Sequence, residues 1–506
     1  MRCARRLLLG TLLLLTGCRE LTETSAAFPE PLLHGATLQL TPEGLRQLTE
    51  LALSERAGLG DLPVTLPAGH VALPAGGTVT FGTSGWTGRL SLSSLAAEEE
   101  ALALHLTGSL PDVALDLLVR PPLGVLTRCR LDLTWDPVLA ELDLQAGSDA
   151  TGSPRLTSPS HQSYVPSPHA TLSPGCLQAL GTGQDLLREL VRQAVWDALE
   201  EGIARLPEEL STSFGLTTSL QGQLGSPAPV EGSLLLGLRA STGGVSPVDG
   251  ASFAVGASGL RLPLQVGFAA RETGRCAPPG ITEPAAPSWP PVFPLPEVGP
   301  QVSPAGVQLA ISAQGLARLT ATALEAGFFC QPLRGEALSG MTAGDLADLL
   351  PLTGLAAPSS PLLALLRPGE PSTLALLETP AGVRVTLRRL ALDLYLPVDG
   401  AQLRLLTATA DVVLDLEPVA WRGKRGAGIA LRLTGTEVTP RMVGSELLAE
   451  LPGSTLADRL PDLYTLVLDQ LLATQLVLPA PLFGSQVVQL VRTRVAGEYL
   501  ILYFAP

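Results

Sequence analysis

The sequence predicts an α+β fold made twice: two similar elongated domains, each a curved antiparallel sheet wrapped around a long amphipathic helix. Three observations predict it. One stretch of the chain recurs far downstream. Apolar residues alternate with period two through most of the rest. Two late segments carry the wider apolar stripe of a helix.

The recurrence comes first. Gly35–Leu53 reads GATLQLTPEGLRQLTELAL and Gly306–Leu324 reads GVQLAISAQGLARLTATAL. They align without a gap at an offset of 271 residues, with eight of nineteen positions identical. Solenoid repeats have periods of ~20–50 residues, so this is duplication of a whole domain. Each copy opens with an alternating strand (Leu38, Leu40; Leu309, Ile311). A polar turn follows, then a helix with Leu45, Leu48 and Leu51, or Leu316 and Leu319, at helical spacing.

The chain begins with an address. Arg2, Arg5 and Arg6 precede Leu7–Leu15, an apolar run shorter than the ~20 residues that span a bilayer. This is the pattern of an export signal. Leu15-Thr16-Gly17-Cys18 looks like a lipobox, which predicts cleavage before Cys18 and lipidation of its sulfur. Two or more acyl chains anchor stably where one does not. Arg19, not an acidic residue, follows Cys18, which favours the outer membrane of a bacterial envelope. The expected organisation is a signal over 1–17, a lipidated tether over 18–33, a first domain over 34–275, a linker over 276–300 and a second domain over 301–506.

Composition restricts function. The formal charge is −14, or −17 without the three leader arginines. That balance argues against nucleic acid, which needs a basic footprint. It also argues against electrostatic capture of anionic head groups. Hydrophobic residues make up 46% of the chain and aromatics only 4%, too apolar for disorder yet poor in the rings that usually fill a core.

Four cysteines remain besides Cys3 and Cys18, an even set that reads as disulfides in an exported protein. Three connectivities are possible. Neighbour pairing, Cys129–Cys176 and Cys276–Cys330, is preferred. No CxxC occurs and no histidine has zinc-ligand spacing, so no metal site is expected.

Between the helices, Gly88–Leu95, Ala101–Leu106, Val113–Val119 and Arg128–Trp135 alternate as strands. Residues 147–175, rich in Ser, Pro, Thr and His, read as a mobile surface loop with His161 and His169 solvated in it. Asp185–Leu206 is the clearest helix. Leu187, Leu190, Val191, Ala194 and Val195 begin its apolar stripe. Residues 276–300 hold too many prolines for helix or interior strand and form an extended connector. In the second copy Arg384–Leu396 and Leu403–Leu416 alternate. A late helix over Leu456–Thr474 then places Leu463, Val467 and Leu471 on one face.

This order resembles the tubular lipid-binding superfamily, and within it the tandem-domain family of bactericidal/permeability-increasing and lipid-transfer proteins. The resemblance is carried by Ala36–Leu53, Asp185–Glu209, Gly306–Leu324 and the terminal run Leu463–Pro506. It implies two domains joined through a central sheet and a Pro-rich linker. It also implies that Cys129 and Cys176 correspond to the disulfide of the family's first domain. Cys276 and Cys330 have no such counterpart, and the family's basic N-terminal tip is absent. In that fold an apolar cleft lies between helix and sheet, where each buried CH2 contributes roughly 0.8 kcal/mol. The residues expected to line it are those of the four helices: Leu45 and Leu48; Leu187, Leu190, Val191, Ala194 and Val195; Leu316 and Leu319; Leu463, Val467 and Leu471. The same side chains would serve equally as ordinary packing.

No G-x-S-x-G elbow, H-E-x-x-H, phosphate loop or dinucleotide fingerprint is present, so neither catalysis nor a cofactor is expected. The sequence therefore predicts an envelope lipoprotein that binds or shuttles lipid or another hydrophobic ligand. The alternative is a structural or scaffolding lipoprotein with a filled core. An esterase is the weakest reading.

Overall fold

The computed structural model describes residues 22–23, 32–55, 60–74, 76–121, 125–148, 154–174, 176, 180, 183–213, 219–224, 234–240, 254–257, 259–270, 306–325, 327, 329, 332–334, 338, 342–346, 357–398, 401–423, 426–445, 453–475, 477–479, 482–483, 486–487 and 489–505. The leader with Cys18, the linker 276–300, Cys276 and Cys330 lie outside the described residues. The chain divides into two compact units. One comprises Leu40–Thr217 and Phe253–Arg261; the other comprises Met1–Gln39, Thr218–Ser252 and Leu262–Pro506.

The repeat encodes a capped strand–helix corner. Strand Leu32–Leu40 leads into helix α1, Pro42–Glu55, with Pro42 in its first turn, where a missing N–H costs nothing. Thr41 Oγ1 accepts from the Gly44 amide at 3.1 Å. In the second copy Ser312 Oγ accepts from the Gly315 amide at 3.0 Å. The shared Gly-Leu is thus the third and fourth helical position behind an N-cap hydroxyl.

In the Leu40–Thr217 unit, two five-stranded antiparallel sheets repeat one order. The first runs 154–164, 138–148, 102–109, 84–97, 61–66; the second runs 169–172, 127–134, 113–120, 78–81, 69–72. Position by position, each strand of one sheet continues along the chain into its counterpart in the other. Four of the five breaks between them contain a proline, namely Pro67, Pro111, Pro137 and Pro166, and the fifth contains Gly82. Proline donates no N–H, so a row of prolines at one level interrupts every ladder there. Five long strands are thereby bent into two sheets along a proline line.

One sequence expectation fails here. Residues 147–175 are not a loop: they include strands Pro154–Tyr164 and His169–Leu172 and the end of Val138–Ser148. Both new strands lie at the ends of their sheets. An edge strand tolerates proline and polar side chains, and that composition resembles a loop in sequence.

A nine-stranded sheet runs 22–23, 219–224, 234–240, 259–270, 32–40, 307–312, 499–505, 489–496, with 254–256 beside 259–270. At its centre the two repeated strands, 32–40 and 307–312, are neighbours. Thr22 and Glu23, expected in the tether, pair with Gln221 and Leu220. A second sheet is dominated by three long strands, Ala381–Val398, Ala401–Gly423 and Gly426–Gly444. Helix α2, Gly183–Ser213, belongs to the first unit. Helices α3, Ala313–Glu325, and α4, Gly453–Gln475, belong to the second.

The expected clean alternation over Arg384–Leu396 is broken by a β-bulge. Val383, Val385 and Leu387 are buried before it, and Leu390, Leu392, Leu394 and Leu396 after it. The register jumps between Leu387 and Leu390, and Arg389 sits at φ 50°. One extra residue switches the buried parity from odd to even and keeps one apolar face on a bending strand. The bulge is pinned from both sides. The Asp411 carboxylate accepts the Arg389 amide at 3.0 Å. Fully buried Tyr464 of α4 donates its single O–H towards Leu390 O at 2.8 Å and Ala408 O at 2.9 Å. Burial pushes that phenol above its usual pKa. Tyr464→Phe is expected to cost about 1–3 kcal/mol in urea unfolding, because it orphans buried carbonyls while changing almost no volume.

Candidate functional site

The candidate site is the seam between α2 and the curved sheet of its own unit. Leu187, Val191, Val195, Leu199, Ile203, Leu206 and Leu210 recur every three or four residues along α2, and all are buried. Against it, the 61–66 strand turns Leu62, Val64 and Leu66 inward. Leu102, Leu104 and Leu106 of the 102–109 strand, and Leu142 and Leu144 of the 138–148 strand, are likewise buried.

Helix α2 does not lie over the middle of this sheet. Its main approaches are to the two edge strands, 61–66 and 154–164, with slighter ones to 69–72 and 138–148. The helix thus meets the sheet chiefly at its two edges and not across the central strands 84–97 and 102–109. The two edges meet it differently. On the 61–66 side the approach is apolar, and a Cβ added to Gly202 would stand 3.7 Å from Leu62 Cδ1. On the 154–164 side it is polar. Glu200 accepts from Ser163 Oγ and pairs with His161 Nε2 at 2.8 Å. Ser163 and then His161 hold the Glu200 carboxyl below its usual pKa. Three helical turns on, the Leu156 amide donates to Ser211 Oγ at 2.7 Å, and that hydroxyl donates to Pro207 O at 2.6 Å. The spacing is self-consistent. Eleven helical residues rise about 16 Å, and the five to seven strand residues between Leu156 and His161 or Ser163 span about 17–23 Å.

The predicted residues fall in four places. Leu187, Leu190, Val191 and Ala194 join one apolar cluster with Cys129, Cys176, Phe81 and Leu131, beyond the proline line. Within that set Leu190 and Ala194 are half-buried, whereas Val195, one step further along the helix, is fully buried. On α1, Leu45 is buried and Leu48 half-buried; on α3, Leu316 is buried and Leu319 half-buried. On α4, Val467 and Leu471 are fully buried and Leu463 half-buried. Cys129 and Cys176 form a disulfide with Cα atoms 5.7 Å apart.

Sequence reasoning missed the Glu200 contacts, because it placed His161 in a solvated loop. His169 is the more exposed of the two and meets Asp136 at 3.3 Å. It also missed Tyr464, although Leu460, Tyr464, Val467 and Leu471 have the spacing of one helical stripe. Among the described residues no group of three His, Cys, Asp or Glu is placed to hold a metal, and no helix is long and apolar enough to cross a membrane.

No family model matches the chain, and no curated protein matches it. Among solved structures, a crystal structure of lipopolysaccharide binding protein is similar at 18% identity and a TM-score of 0.45, covering 93% of this chain and 98% of that one. P47 from Clostridium botulinum A2 is similar at 9% identity and a TM-score of 0.21, covering 94% of this chain and 99% of that one. P47 of Clostridium botulinum E1 gives 8% identity and the same TM-score of 0.21, with coverages of 94% and 99%.

Proposed function

We propose that the chain is a non-catalytic carrier that holds the acyl chains of a lipid, or another hydrophobic ligand, between helix and sheet while a lipid on Cys18 tethers it to a bacterial envelope, on the outer membrane. The observation that carries this reading is the placement of α2 against both edges of a curved sheet, with an apolar face turned to an apolar interior. That arrangement supports a tube wrapped around a helix. An acyl chain can replace helix–sheet contacts there because the hydrophobic effect is non-directional. The lining assigned to it in the first domain is Leu45, Leu48, Leu187, Leu190, Val191, Ala194 and Val195. The corresponding residues of the second are Leu316, Leu319, Leu463, Val467 and Leu471. The division into two such domains about the linker 276–300, and the pairing of Cys276 with Cys330, belong to the same proposal.

One observation favours a second reading, a scaffold with a filled core. Leu187, Val191, Val195 and Leu199 have 0–1% exposure, so in this conformation side chains already occupy the interior. Residues 19–506, exported without the anchor, separate the two in native mass spectrometry followed by organic extraction. The carrier is expected to bring stoichiometric lipid, or to take up labelled phospholipid on titration. A lipid-free protein that refuses phospholipid would leave the scaffold.

A further inference from the structure

The two edges of the curved sheet differ in chemistry, and the difference assigns an entrance. From the geometry we infer that a hydrophobic ligand enters between Glu200 of α2 and the His161–Ser163 stretch of the edge strand Pro154–Tyr164. This deepens the carrier reading and rests on it.

Three observations point to that stretch. First, it is the wet seam. The side chains of His161 and Glu200 are 37% and 34% exposed, so when they part, each exchanges its partner for water that already reaches it. Parting the opposite seam would bare Leu62, Val64 and Leu66, each at most 2% exposed, to water. Second, buried contacts hold the chain on either side of the stretch. At one end the Leu156 amide is held by buried Ser211. At the other, past the proline line, Ala170 and Leu172 pack on the cluster that contains the Cys129–Cys176 disulfide. Third, the strand lies at the end of its sheet, so it pairs on one side only, with 138–148. Its other side faces α2 and can swing away without breaking a ladder. A window between two fixed ends would admit an acyl chain sideways and reclose on the Glu200 contacts.

The test is uptake of pyrene-labelled phosphatidylcholine from phosphatidylcholine vesicles by residues 19–506, followed in time. H161A/S163A is expected to raise the uptake rate about fivefold, the scale of losing two part-exposed side-chain contacts worth about 1 kcal/mol together, with the amount bound at equilibrium unchanged. E200Q keeps an acceptor and is expected to give a smaller rise in the same direction, which preserves the test if the double variant folds poorly. H169A removes an exposed contact with Asp136 outside the stretch and is expected to leave the rate at the parent value. Uptake that proceeds at the parent rate in both seam variants overturns the window while leaving the carrier standing. A parent protein that takes up no lipid at all overturns the carrier reading and the window with it.

Discussion

Replacing Cys129 and Cys176 together with alanine is expected to destabilise the Leu40–Thr217 unit by about 2–4 kcal/mol. The bond joins residues 47 apart in sequence. For a loop of that length the chain-entropy model gives about 4 kcal/mol, and measured values usually fall below it. Location adds to the effect. Both cysteines are buried in the cluster that takes in Leu187 and Val191, the first buried turns of α2. Strand 127–134 carries Cys129, and Cys176 lies seven residues before α2 begins. The bridge therefore ties the start of the long helix to the distal sheet. Urea unfolding of residues 19–506 should show a lower midpoint for the double variant, and amide exchange should accelerate first around 187–191. A midpoint within error of the parent would mean that the packed cluster alone fixes that end.

Much of this architecture is legible in the sequence, and the reason is periodicity. Leu187, Leu190, Val191, Ala194, Val195 and Leu199 recur at mixed spacings of three and four residues, which fit one face of a helix and not the period of two of a strand. The duplicated Gly-Leu at 44–45 and 315–316 marked two equivalent corners, and the hydroxyls of Thr41 and Ser312 give that match its physical cause. Strands facing a core on one side announced themselves the same way: Val113, Leu115, Leu117 and Val119 are all buried.

The failures share one cause too. Pro154–Tyr164 turns mostly polar residues outward, so its period-two signal is weak, and its prolines suggested a loop. What makes it a strand is non-local: pairing with 138–148 and contact with a helix some forty residues downstream. The same misreading hid Glu200, because a carboxylate on a polar helix flank is meaningless until its partner strand is placed. The bulge at Arg388–Arg389 was visible in principle. The apolar parity of VRVTLRRLALDLYL changes midway, and only an inserted residue keeps both halves facing one core. Likewise the proline line needs the strand order: Pro67, Pro111, Pro137 and Pro166 look unrelated until five strands are laid side by side.

Arg367→Met is expected to cost about 3 kcal/mol, and Arg367→Met with Asp393→Leu is expected to recover most of it. Asp393 is fully buried, accepting from Arg367 Nε at 2.6 Å and from Thr407 Oγ1 at 2.7 Å. The three residues stand on three adjacent strands, 363–367, 381–398 and 401–423. Asp393 alternates with Leu392 and Leu394, so it points to the sheet face opposite theirs. The bond to Asp393 holds the Arg367 guanidinium above its usual pKa, the signature of a charge stabilised by its partner. Removing the cation alone strands a desolvated carboxylate, which typically costs 3–5 kcal/mol. The lower end applies because Arg367 is 42% exposed, so water can reach the gap, and because Thr407 remains. Removing both charges leaves no desolvated ion, and Leu fills much the same volume as Asp with its hydrogen-bonded shell. A double-mutant cycle in urea isolates the coupling. If the double variant is as unstable as the single one, a stranded carboxylate is not the source of the loss, and Thr407 suffices to hold Asp393.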